Sequence, residues 1–231
     1  MTDEIASERL NKYLALQLGS SRRESDELIE RGRVKINGEV AVLGARYHAG
    51  DIITIEGQDI TSSQAHVYVL FNKPIGYICS RKKQGDNDTI YSLLPSELHN
   101  LKPVGRLDKN SSGLLLLTND GDFAYQMTHP KFYKVKVYHV RLDRELEPLH
   151  QQMISDHGVT LEDGPSKLSL QRLSDDNRKG WEVTMTEGRN RQIRRTFGAL
   201  GYTVLKLQRV TFGNYILGDI KPGEYKIVDM Q

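Results

Sequence analysis

One carboxylate and two groups of arginines are the residues of this chain best suited to chemistry. Asp108 lies in the segment 104–114, Val-Gly-Arg-Leu-Asp-Lys-Asn-Ser-Ser-Gly-Leu, a polar turn between Arg106 and a run of leucines. Further along, residues 187–195 read Glu-Gly-Arg-Asn-Arg-Gln-Ile-Arg-Arg. An ionised carboxylate can act as a nucleophile or take a proton from carbon. A contacting arginine keeps it charged where burial alone would neutralise it. The other arginines suit a polyanion. An aspartate in a polar turn also commonly caps a neighbouring backbone group, and residue types alone leave that alternative open.

The elements that must position these groups can be followed along the chain. Ser7 is placed to cap a helix carrying Leu10, Tyr13, Leu14 and Leu18, with Gly19 at its end. Ser21 and Glu24 fit a capping box for a second helix that stops at Gly32. Asn37-Gly38 predicts a tight hairpin turn between strands 34–36 and 39–42, and 52–55 is a third strand. Residues 61–65, Thr-Ser-Ser-Gln-Ala, are polar without periodicity and predict a linker.

Beyond the linker, strands are expected at 67–71, 114–117, 135–142 and 181–185, and helices at 122–128 and 190–200. The four leucines at 114–117 do not alternate with polar residues, which predicts a strand buried on both faces. Strands and helices do not alternate regularly, so the expected class is α+β rather than doubly wound. In the last helix Ile193, Phe197 and Leu200 share one face. At ~100° per residue Arg191 and Arg195 then face solvent, and Arg194 stands at the border.

Composition narrows the function. A net charge of +2 in 231 residues means that nucleic acid must be met by local clusters of cations. The single cysteine, Cys79, excludes a disulfide framework and argues against a cysteine metal site; a small buried apolar role is expected for it. The histidines form no metal-binding pattern, so no metal is expected. No apolar run approaches a membrane span, and the polar N-terminus does not resemble a signal peptide, so the expected location is cytoplasmic with no membrane partner. Arg22 and Arg23 crowd the start of a helix, where a phosphate would offset the cost of ~0.3–1 kcal/mol per cation. A solvated charged face explains them equally well.

The motifs resemble a family. Residues 104–121 resemble the active-site motif of the RsuA-type ribosomal RNA pseudouridine synthases, and 187–195 resemble their later arginine motif. Leu207-Gln208-Arg209 through Gly213, Leu217 and the segment 222–225 are similar to their C-terminal segment. Arg9 to Lys12, Ser21-Arg22-Arg23 and the stretch 34–38 resemble the small RNA-binding domain often attached to these enzymes. The resemblance covers nearly the whole chain.

It implies an isomerase that converts uridine to pseudouridine in ribosomal RNA without a cofactor. The architecture implied is a helix-helix-hairpin RNA-binding domain over 1–60, a linker over 61–65, and a catalytic domain over 66–231. The catalytic domain would hold a mixed, mainly antiparallel central sheet flanked by helices. Asp108 would be the catalytic aspartate, Arg194 its salt-bridge partner, and Tyr138 the residue stacking on the target base. On alternation alone, Tyr138 is a core residue of a half-buried strand. RNA contacts would come from Arg9, Lys12, Arg22, Arg23, Arg33 and Lys35, and from Arg106, Lys136, Arg189, Arg191, Arg195 and Arg209.

Ser111 departs from the usual threonine, and Val135 and Val137 depart from the small-subunit branch. Asn190-Arg191 is closer to the large-subunit branch, which is slightly favoured. The partner implied is ribosomal RNA, free or in an assembling subunit, with a monomeric protein as the default. A non-catalytic RNA-binding assembly factor is the alternative, and an RNA N-glycosylase a third.

Overall fold

The computed structural model describes residues 7–60 and 65–230. The chain divides into two compact units. One runs up to Val67 and includes Asn119–Gly121; the other holds Tyr68–Thr118 and the chain from Asp122 onward.

The first unit contains β1 (Glu8–Arg9), α1 (Leu10–Gln17), α2 (Arg22–Glu30), β2 (Val34–Ile36), β3 (Glu39–Val40), β4 (Arg46–Tyr47), β5 (Ile53–Ile55) and β6 (Gln58–Asp59). The Ser21–Glu24 capping box forms, with the Ser21 hydroxyl accepting from the Glu24 amide and the Glu24 carboxylate accepting from the Ser21 amide. Asn37 and Gly38 both take positive φ, 51° and 87°, which lets the two-residue turn follow the twist of its strands. Leu10, Leu14, Ile29, Val34 and Ile53 form the small core.

Two local expectations change. Ser7 does not cap α1; Arg9 occupies the N-cap with no side-chain bond. Ser7 instead accepts from Arg46 through both its hydroxyl and its carbonyl, because β1 pairs with β4 just before the helix. Leu18 lies past the end of α1 and is exposed. Of the expected linker, residues 61–64 lie outside the described residues.

The second unit contains β7 (Tyr68–Lys73), β8 (Lys102–Val104), β9 (Ser112–Thr118), α3 (Gly121–Thr128), β10 (Lys136–Leu142), α4 (Pro148–Gln152), β11 (Val159–Leu161), β12 (Gly164–Ser166), β13 (Ser169–Ser174), β14 (Asn177–Met185), α5 (Gln192–Ala199), β15 (Val204–Phe212), β16 (Tyr215–Ile216) and β17 (Tyr225–Val228). A nine-stranded sheet runs β13-β14-β10-β15-β9-β7-β17, with β8 beside β9 and β16 beside β15. β9 and β15 run parallel, while β7, β10, β13, β14 and β17 meet their neighbours antiparallel. The architecture is therefore the expected α+β, mixed and mainly antiparallel.

The leucine run explains the centre of this sheet. Leu114 and Leu116 join Val104, Phe123, Met127 and Phe212 in one core cluster. Leu115 and Leu117, which alternation sends to the opposite face, are also buried. The parallel contact of β9 with β15 is tight: Gly113 has φ 101°, and a Cβ there would lie 2.2 Å from the Arg209 carbonyl oxygen. Only glycine fits this crossing, which brings β15 against the strand that follows the Asp108 turn.

Candidate active site

The Asp108 turn is fixed from below by a residue whose signal is weak in the sequence. Lys73 ends the apolar strand β7 and is fully buried. Its ammonium donates to the carbonyls of Pro74, Asp108 and Ser111 at 3.0, 3.1 and 2.8 Å. Burial pushes its pKa down, while Cys79 and Asp108 pull it back up. Three carbonyls on one ammonium lock the turn that presents Asp108. The only sequence clue was a lysine closing a hydrophobic strand before proline.

Asp108 keeps about a third of its side chain exposed at the wall of a pocket of about 760 Å³. That volume suits a nucleotide-sized guest. Arg106 and Lys109 flank Asp108 on the same wall, and Tyr138 and Lys136 come from β10. Tyr138 is buried, paired in register with Val183 on one side and Arg209 on the other. Cys79 is partly buried in this wall rather than a plain core residue. Its thiol donates to the Leu107 carbonyl and accepts from the Leu107 amide, and burial pushes its pKa up.

The expected pair between Asp108 and Arg194 is replaced by another. The cation within ion-pair reach of Asp108 is Arg191, with Nη1 3.9 Å from Oδ2. Helical extrapolation points Arg191 to solvent, but α5 begins at Gln192 rather than at 190, and Arg191 sits at the N-cap with φ 48°. That left-handed turn aims its side chain at the pocket. Arg194 is half-buried and donates to the carbonyls of Val204 and Asn110, each at 2.7 Å. It therefore grips the Asp108 turn by its backbone. Burial and the Arg191 charge push the Arg194 pKa down, and Asp108 opposes them, so the carboxylate is within its electrostatic reach.

Two arginines expected to meet RNA are already occupied. Arg195 makes a bidentate pair with Asp163 at 3.0 and 2.7 Å. Arg189 donates to the Asp163 carboxylate at 2.9 Å and to the carbonyls of Asp163, Gly164 and Pro165. The pair with Arg195 holds the Asp163 carboxyl below the usual carboxylate range. Beneath this clamp, Gln192 donates to Glu187 and to the Ser166 hydroxyl, which also accepts from Thr196. The β11–β12 turn thus fastens the arginine motif in place. A Glu-Asp-Gly turn carries no sign of such distant partners.

Arg209 differs again from expectation: it is 2% exposed and so lies away from any outer phosphate surface. In the first unit Lys12 pairs with Glu8, Arg33 with Glu56, and Arg22 donates to Asn11. Arg9, Arg23 and Lys35 are exposed. Among the described residues no group of three or more His, Cys, Asp or Glu could hold a metal ion, and no helix is long and apolar enough to cross a membrane.

Comparison with known proteins agrees with this geometry. Residues 67–199 match the model of the RNA pseudouridylate synthase family, and residues 8–53 match the S4 domain. An uncharacterized RNA pseudouridine synthase of Aquifex aeolicus is 36% identical, over 94% of this chain and 91% of its own. Ribosomal large subunit pseudouridine synthase B of Bacillus subtilis is 36% identical, over 94% of this chain and 90% of its own. A crystal structure of a pseudouridylate synthase superposes with TM-score 0.68 at 32% identity, covering 96% of both chains. With an aspartate presented to a nucleotide-sized pocket and these likenesses along its length, the chain belongs to the RNA pseudouridylate synthase family and is a pseudouridine synthase, an isomerase.

Proposed function

We propose that this enzyme isomerises a uridine of ribosomal RNA, with the large subunit favoured, and that Asp108 is its catalytic carboxylate. The observation that carries the reading is Asp108 at the wall of the pocket that Tyr138 also lines, with Arg191 3.9 Å away. The ribosomal substrate is supported by the kinship with ribosomal large subunit pseudouridine synthase B and by the S4 match.

The target base leaves its stack and enters the pocket, where Tyr138 supplies stacking worth roughly 1–3 kcal/mol against a flipping cost of a few kcal/mol. Asp108 either bonds to C1′ or removes the C2′ proton as the N1–C1′ bond breaks. Arg191 stands 3.9 Å from its carboxylate, and Arg194 holds the backbone of the same turn. The uracil turns and rejoins through C5, so atoms balance and no redox cofactor is needed. Arg106, Lys109 and Lys136 also line the pocket.

We assign residues 1–60 to RNA binding, 61–65 to the linker and 66–231 to catalysis. In the first unit Arg9, Lys12, Arg22, Arg23, Arg33 and Lys35 supply phosphate contacts. Pseudouridine mapping of ribosomal RNA from a deletion strain tests the substrate. A single position lost from large-subunit RNA is the expected result. An unchanged map would refute the ribosomal substrate.

A further inference from the structure

Arg209 is the buried arginine among those lining the pocket, at 2% exposed. It stands opposite Tyr138 in the antiparallel register of β10 and β15, so both side chains leave the same face of the sheet. Its Nε donates to the Leu114 carbonyl at 2.8 Å, and its guanidinium carbon lies 4.5 Å from the centre of the Phe212 ring. Nη2 is buried and has no hydrogen-bond partner, although Arg209 lines the pocket. No carboxylate among the described residues forms an ion pair with it. Leaving such a nitrogen unmatched is costly, and a guest's acceptor would relieve that cost.

The neighbouring cation does not compete for this role. The Lys136 ammonium, 5.5 Å from the same ring, is engaged by the carbonyls of Lys134, Thr186 and Glu187. Burial and then Arg209 push the Lys136 pKa down, as expected for two positive charges over one ring. The position of Arg209 is rigid, because its backbone is pressed against Gly113, beyond the Asp108 turn.

An arginine only 2% exposed cannot reach the phosphates of an RNA lying on the surface. It can meet only what enters the pocket. We propose that Arg209 Nη2 donates to a carbonyl oxygen of the flipped uracil and stabilises the anion that uracil becomes when the N1–C1′ bond breaks. This rests on the reading of Asp108 as the catalytic carboxylate. The bonding pair goes to N1 and spreads over O2 and O4. The deficit at C1′ is met by the Asp108 oxygen, or by loss of the C2′ proton to Asp108 and its later return. C5 then bonds to C1′, the C5 proton leaves to solvent, and N1 takes up a proton from solvent, so the product is an isomer of the substrate. Arg209 changes no bond; a fixed charge in a site without water favours the charge that develops.

The test compares ribosomal RNA containing uridine with the same RNA containing 5-fluorouridine. Fluorine withdraws electrons and makes a more stable uracil anion, so the enzyme's own stabilisation matters less. Loss of the starting nucleoside is followed in nuclease digests under single turnover. Arg209→Gln keeps a donor for Leu114 but removes the charge. It should lose ~100-fold on uridine and ~10-fold or less on 5-fluorouridine. Arg209→Lys keeps the charge and should retain more activity on uridine than the glutamine variant. Equal losses on both RNAs, or the reverse order of the two variants, would show that Arg209 only supports the fold. An inactive wild type would remove the parent reading of the function, whereas an active wild type with equal losses removes this inference alone.

Discussion

Two of the aspartates in the second unit that face arginines, Asp108 and Asp163, are treated in opposite ways. Asp163 is saturated: Arg195 grips both carboxylate oxygens, and Arg189 adds a third bond and closes on the backbone around it. Asp108 has one cation at 3.9 Å, and its carbonyl rather than its carboxylate is held by Lys73. A saturated carboxylate fixes a chain; a carboxylate whose backbone is held and whose oxygens are open can react. The clamp at Asp163 also positions the segment that supplies Arg191 and Arg194, so the saturated aspartate orders the surroundings of the open one, which we propose is catalytic.

Substitutions separate the two. Asp108→Asn should lower turnover by ~10⁴-fold or more. Its melting temperature and RNA affinity should stay close to wild type, because its ion pair with Arg191 is long, at 3.9 Å. A destabilised Asp108→Asn would place that residue in the structural class with Asp163. Arg191→Gln should lower turnover by roughly 10–100-fold with little effect on melting. Arg194→Gln should lower turnover and melting together, since the carbonyls of Val204 and Asn110 lose their donor.

Asp163→Asn should reverse the pattern of Asp108→Asn, with a clear fall in melting temperature and a turnover loss of ~100-fold at most through misplacement of the arginine motif. The pH dependence follows from the sign of the shift. The Asp163 carboxyl is held below its ordinary range, mainly by Arg195. Its stabilisation is therefore complete above the unfolded value near ~3.9 and fades as pH falls through the lower folded value. The gap in melting temperature between wild type and Asp163→Asn should close on acidification; a constant gap would contradict the pairing. The smallest effect is expected in the first unit, where Arg23→Gln and Lys35→Gln should weaken RNA binding several-fold and flatten its salt dependence.

The comparison also shows what the sequence makes legible. Capping at Ser21, the Asn37-Gly38 turn and the burial of the leucine strand depend on neighbours in the chain, and each formed as local chemistry predicts. The resemblance placed Asp108 and the arginine motif. Local rules failed where a partner came from afar. Ser7 was taken by Arg46, and Arg189 and Arg195 by Asp163. Arg191 was misplaced because a single left-handed residue breaks the periodicity on which its direction was extrapolated. Arg209 looked like an RNA-facing cation, yet the glycine crossing draws it into the interior.

The division between the two aspartates is tested most directly by tritium release from 5-tritiated uridine in ribosomal RNA, with wild type, Asp108→Asn and Asp163→Asn side by side. The account predicts release by wild type, slower release by Asp163→Asn and none by Asp108→Asn. Release by Asp108→Asn at the wild-type rate, or faster than by Asp163→Asn, would contradict it.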